Sequence, residues 1–133
     1  MNLSERVREF LEEPRLCVMA TINRDGTPQM TAMWYDLVDE EVIMNTTRDL
    51  IKERNLRRDP RMSICVADGY RYVTLSGRAE LIDDRAIQEA EVNRFSVRYV
   101  GLRLGPERWE RIKHQDRVGI RMRVERVFAR GLD

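Results

Sequence analysis

The chain is poor in the residues that most often carry chemistry: among 133 residues there are two cysteines, two lysines and a single histidine. One histidine, His114, cannot assemble a protein-only zinc site, so no metal is expected. Cys17 and Cys65 sit in separate apolar runs without CxxC spacing and read as buried reduced thiols, not as a disulfide framework. The seven glycines never form GxGxxG or a P-loop, which argues against a Rossmann nucleotide site. A dominant charge is missing as well: 24 basic residues face 23 acidic ones, so neither nucleic acid nor an anionic membrane is an expected partner. No apolar run approaches the roughly 20 residues that span a bilayer. The opening MNLSERVREFLEEP alternates charge with apolar residues where a signal peptide would be uninterrupted, and a cytoplasmic location is the expectation. Repeats, low-complexity tracts and Pro/Gly/Ser linkers are also absent, so residues 1–133 read as one domain that buries roughly two-thirds of its unfolded surface.

What is there is period-two alternation interrupted by short helical stretches. Leu3, Val7, Phe10 and Leu11 fall on one helical face, with Asn2 and Glu5 spaced as a capping box and Pro14 beyond the end. LCVMATI (16–22) and PQMTAMWYD (28–36) are strands around an Asp-Gly turn, and VIMNT (42–46) completes a three-stranded meander. DLIKERNLRR follows as a polar helix, capped by Asp49 and ended by Asp59-Pro60. MSICVA (62–67) and YRYVTLSGRAELI (70–82) are strands, the second with a bulge at Gly77. Asp83 and Asp84 cap a helix to about Val100 that stops at Gly101, and Gly105-Pro106 opens a short helix bearing Trp109 and Ile112. The last strand alternates at Val118, Ile120, Met122 and Val124, then slips phase to Val127 and Ala129. These elements predict a mostly β, α+β fold: a six-stranded antiparallel split β-barrel of Greek-key type with peripheral short helices.

Two neighbouring segments carry the chemistry. NTTRDLIKERN (45–55) joins a strand end to a helix start, where Asn45, Thr46 and Thr47 and the first-turn N–H groups form an anion cradle with Lys52. On spacing alone it also describes an ordinary helix cap with a solvated charged face. MTAMWY, which is Met30, Thr31, Ala32, Met33, Trp34 and Tyr35, is dense in flat and polarisable side chains against which a planar ring can lie. Periodicity alone would make Met30, Ala32 and Trp34 the core face of a strand. Only the two segments together favour a cofactor.

That combination resembles the pyridoxamine 5'-phosphate oxidase-like, FMN-binding split-barrel superfamily, from Leu16 to about Ile82. The resemblance implies that the ring lies along MTAMWY and that Thr46 and Lys52 hold the phosphate, with Asn55-Leu56 and Asp59-Pro60 following as family motifs. It also implies a homodimer with cofactor sites at the interface, across which Tyr72 stands at the position of an often-found glutamine. In the oxidases proper an arginine precedes the lysine; here it is Ile51, and their C-terminal tryptophan and arginine motifs are missing. The single strand tryptophan and KERNLRRDPR look more like the branch that uses the deazaflavin coenzyme F-420, for whose acidic glutamyl tail Arg48, Arg57, Arg58 and Arg61 offer a basic path.

The expected function is thus an oxidoreductase in which reduced F-420 passes a hydride to a small, conjugated, electron-poor substrate. An FMN-dependent reductase or oxidase is the alternative, and a non-catalytic flavin- or haem-binding protein is a third reading. No general acid stands out: Tyr35, Tyr72 and His114 are the reachable candidates.

Overall fold

The computed structural model describes residues 2–132 and runs α1(Glu5–Glu12), β1(Cys17–Ile22), β2(Pro28–Met33), β3(Asp36–Val38), β4(Glu41–Thr47), α2(Ile51–Arg58), β5(Arg61–Asp68), β6(Arg71–Ile82), α3(Arg85–Val100), α4(Pro106–Ile112) and β7(Arg117–Arg130). The fold is mostly antiparallel β with four helices, and its strands form one sheet in the order β2-β1-β5-β6-β7-β4-β3. No helix among the described residues is long and apolar enough to cross a membrane.

The sheet has seven strands where the alternation pattern counted six, because the segment 28–36 breaks at Trp34 and Tyr35. Its first part pairs with β1 and its second, as β3, pairs with β4, so the expected continuous meander does not form. The cause is Tyr35, which is fully buried and donates its hydroxyl to the Leu11 carbonyl at 2.9 Å. Turning that ring inward takes the backbone off the β1 ladder. The two edge strands are consequently joined by only two residues, so the sheet must curl until its edges lie close, yet no ladder joins β2 to β3. The hydrogen-bonded barrel stays split at that seam.

Local signals account for most elements. Ser4, not Asn2, caps α1 by accepting from the Val7 N–H. Asp84 accepts from the N–H groups of Ala86 and Ile87 at the start of α3, and Gly101 ends it in the left-handed region at φ 84°. Asp49 does not cap α2: Leu50 holds that position, and Asp49 adopts φ 68°. The capping role passes to the fully buried Glu53, which accepts the Asp49 N–H at 2.8 Å. Between β6 and β7 the register shifts at Ser76/Gly77: Ser76 lies opposite Arg126 and Gly77 opposite Val124, leaving Glu125 as the extra residue. A Cβ on Gly77 would run into the Arg123 carbonyl oxygen.

Leu11 of α1 and Leu56 of α2 join Met19, Met44, Ile64, Leu75, Ile120 and Met122 in one core cluster. Four of the methionines, Met19, Met44, Met62 and Met122, are core residues, and an interface is not needed to explain them. Strand β4 is buried at Val42, Ile43, Met44, Asn45 and Thr46 alike because α3 covers its outer side. The outer side of β2, β1, β5 and the Phe128 end of the β6–β7 pair has no such cover, α3 reaching only the other end of β7 at Gly119 and Arg121. There Ala32, Val18, Cys65, Thr74 and Phe128 pair across five strands as an uncharged row, with Val18 39% and Phe128 55% exposed. Cys65, expected buried, lies half-exposed in this row, whereas Cys17 is buried.

Candidate functional site

The seam between the sheet's edges defines the site. Strand β3 pairs only with Glu41–Ile43 of β4, so β4 from Met44 to Thr47 has β7 on one side and no strand on the other. The side of β2 away from β1 is equally unpaired. Ala32, Met33 and Trp34 from β2 and the following corner, with Asn45 from β4, line a common cavity of about 540 Å³. Free strand edges of this kind offer backbone N–H and C=O groups to a ligand.

The MTAMWY segment divides, and its facing is the reverse of what plain periodicity gives. Met30, Ala32 and Trp34 are exposed, Met33 packs against the core and Thr31 is half-buried. Trp34 stacks on Tyr99 of α3 with centroids 4.7 Å apart and planes 2° from parallel. Tyr35 offers no side chain to a ligand, and burial pushes its hydroxyl pKa far up, which removes it as a proton donor.

The cradle residues also part company. Asn45 faces α3, where its amide donates to Gln88 Oε1 at 2.5 Å and Glu91 Oε1 at 2.8 Å and accepts from Arg117 Nε at 2.7 Å. It is a satisfied structural node at the cavity wall. Thr46 points to the opposite face, and its buried hydroxyl oxygen has no hydrogen-bond partner among the described residues. Thr47 is half-buried at the strand end. Lys52, in the first turn of α2, is half-buried, and the described residues give it neither hydrogen bond nor ion pair; burial alone lowers its pKa. An orphan hydroxyl and an uncompensated ammonium, six positions apart around a helix start, fit an anionic group such as a phosphate.

The arginines expected to form a basic path are mostly consumed by their own carboxylates. Arg48 binds Asp83 at 2.7 Å and Asp116 at 2.9 Å, Arg57 binds Glu53 at 2.8 Å and Asp49 at 2.9 Å, and Arg61 binds Asp59 at 2.8 Å. Arg58 bonds Asn55 and the Ile22 carbonyl. Tyr72 lies on the uncovered outer face against Phe128, 5.8 Å between centroids, and does not line the cavity of its own chain. His114 is exposed in the turn after α4 and is also outside that cavity.

The cavity wall that sequence reasoning missed comes from the second half of the chain. Val92 and Phe95 of α3, Arg108, Arg111 and Ile112 of α4, and Gln115 and Arg117 close its outer side. The only sequence signal for it was the short helix bearing Trp109 and Ile112, whose other positions had no reason to be singled out.

The profile of the pyridoxamine 5'-phosphate oxidase family matches residues 3–131. An F-420H(2)-dependent biliverdin reductase from Mycobacterium tuberculosis (strain CDC 1551 / Oshkosh) is 30% identical over 131 residues, covering 96% of this chain and 88% of that protein. A conserved hypothetical protein from Mycobacterium tuberculosis superposes with a TM-score of 0.82 at 32% identity, across 96% of this chain and 84% of that one. An F-420 reductase superposes with a TM-score of 0.79 at 28% identity, across 95% of this chain and 98% of that one.

Proposed function

The chain belongs to the pyridoxamine 5'-phosphate oxidase family, and from that membership we propose that it is an oxidoreductase using reduced coenzyme F-420 to reduce a conjugated, electron-poor substrate. The observations that carry this reading are two donors left unsatisfied among the described residues, Thr46 and Lys52, on either side of the turn into α2, and an exposed Trp34 beside an unpaired strand edge, although neither donor lines the cavity at Trp34. In this assignment Lys52 and Thr46 hold the cofactor phosphate by charge-assisted hydrogen bonds, while the β2 backbone from Met30 to Trp34 positions the ring. The bound deazaflavin supplies the hydride. The chain's own residues bind, orient and shield it. The names of the mycobacterial biliverdin reductase and of the F-420 reductase support F-420 over FMN and make a linear tetrapyrrole the first substrate to try.

The protein acts as a homodimer in this reading, with the uncharged row on β2, β1, β5, β6 and β7 as the contact face and Tyr72 contributed across it. Titrating the apo-protein separately with F-420 and FMN, and following fluorescence, tests the cofactor assignment. Micromolar or tighter binding of F-420 is expected; tight FMN binding with no affinity for F-420 would move the protein to the FMN-dependent alternative. Bound, reduced cofactor that no quinone, enone or tetrapyrrole reoxidises would make it a storage protein instead.

A further inference from the structure

We infer that the cleft beside Trp34 is built for an acidic substrate, a planar conjugated molecule whose carboxylates are held by Arg108, Arg111 and Arg117. This deepens the oxidoreductase reading and rests on it for the placement of the ring at Ala32–Trp34.

Several arginines elsewhere on this chain hold carboxylates, Arg48, Arg57, Arg61, Arg94 and Arg121 among them. The three that line the cleft do not. Arg108 and Arg111 make no hydrogen bond or ion pair among the described residues, and no aspartate or glutamate lines the cavity. Arg117 is half-buried, yet its partners are two neutral amide oxygens, Asn45 Oδ1 at 2.7 Å and Gln115 Oε1 at 2.6 Å. The acidic residue at Glu110 is outside the lining and is held by Lys113 at 2.6 Å.

A half-buried guanidinium left with neutral partners is unfavourable in the empty protein and becomes favourable when an anion arrives. Arg108 and Arg111, three residues apart on α4, present two more planar forks on one helical face, the geometry that grips carboxylates in bidentate fashion. The same cavity is lined by Trp34, itself stacked on Tyr99, and by Phe95. Aromatic surface and guanidinium forks lining one cavity select a flat body with acidic arms.

The glutamyl tail of F-420 shares this carboxylate chemistry, so the test separates the two. Biliverdin and its dimethyl ester serve as probes, each titrated into the cofactor-free protein while tryptophan fluorescence is followed; F-420 is titrated in parallel. Wild type is expected to bind the acid at least tenfold more tightly than the ester. The double variant Arg108→Gln/Arg111→Gln, both exposed and so tolerated by the fold, should abolish that preference while leaving F-420 affinity within twofold. The inference is overturned if wild type shows no preference for the acid or if the double variant retains it. A double variant that loses F-420 affinity and keeps the acid preference overturns it in favour of the cofactor tail. Should turnover with reduced F-420 be absent altogether, the oxidoreductase reading fails while the acid-to-ester ratio still decides this one.

Discussion

Tyr99 lies flat against Trp34 at 4.7 Å and, through its hydroxyl, clamps the backbone of the next residue: it accepts the Tyr35 N–H at 3.1 Å and shares its single proton between the carbonyls of Tyr35 and Arg15 at 2.9 and 2.8 Å. One side chain from α3 thus fixes both the exposed aromatic wall and the corner at which β2 becomes β3. Tyr99→Phe keeps the stack but leaves partly buried backbone groups unpaired, which costs about 1–3 kcal/mol. Urea denaturation should show that loss. Cofactor affinity should fall with it, because Trp34 is held from the same point.

This corner also marks what the sequence could and could not reveal. The hairpins, the α3 caps and the bulge at Gly77 were legible because each depends on residues close together: an Asp-Gly pair, an aspartate before a helix, a phase slip after Val124. The inward turn of Tyr35 was not, since it depends on the Leu11 carbonyl, 24 positions away. Asn45 illustrates the same limit. Its type and position fitted an anion cradle, but its partners Gln88, Glu91 and Arg117 are 43, 46 and 72 positions distant and reassign it to holding α3 on β4 and β7. Lys52 could be picked out by motif and rarity; that no described residue pairs with it is visible only in the folded chain.

Lys52→Ala is expected to remove about 1.5–3 kcal/mol of cofactor affinity, the contribution of a charge-assisted hydrogen bond. It should not lower the melting temperature of the apo-protein, because no described residue pairs with the ammonium. Calorimetric titration and a thermal melt of the same sample check both halves.

The same lysine sets a pH dependence. Burial holds its pKa below the ordinary 10.5, so between the folded and unfolded values the unfolded chain carries more protons. The group therefore opposes folding at neutral pH, and that opposition is relieved as pH rises through the folded pKa. Phosphate binding requires the protonated form, so cofactor affinity should decline across this alkaline range, with proton uptake on binding. Lys52→Arg, which stays charged, should flatten the decline; an equally steep one would assign it to another group.

Gly77→Ala should be among the most damaging single-methyl additions. The new Cβ would meet the Arg123 carbonyl, part of the β6–β7 ladder, which cannot move without breaking pairing on either side of the bulge. Overpacking against backbone typically costs about 1–3 kcal/mol or more. A drop in the urea midpoint at unchanged slope would show it, whereas Gly26→Ala, which meets no atom within 4 Å and pays only for its φ of 88°, should cost less.

The uncovered sheet face makes the last prediction. Val18 stands in this row between its ladder partners Ala32 and Cys65, and the row holds no charge. If two copies meet there, Val18→Arg buries an unpaired guanidinium twice per dimer, far more than a standard interface tolerates. Sedimentation should report a dimer for wild type and a monomer for the variant. The thiols give an independent reading. Cys17 is buried and its pKa is pushed up to about 12, so it stays unreactive at pH 8 in either state. Cys65 lies half-exposed on the proposed contact face and should resist alkylation in the wild type but react in the variant. Rapid labelling of Cys65 in wild type at high protein concentration would show that this face is open to solvent, and the dimer would have to form elsewhere.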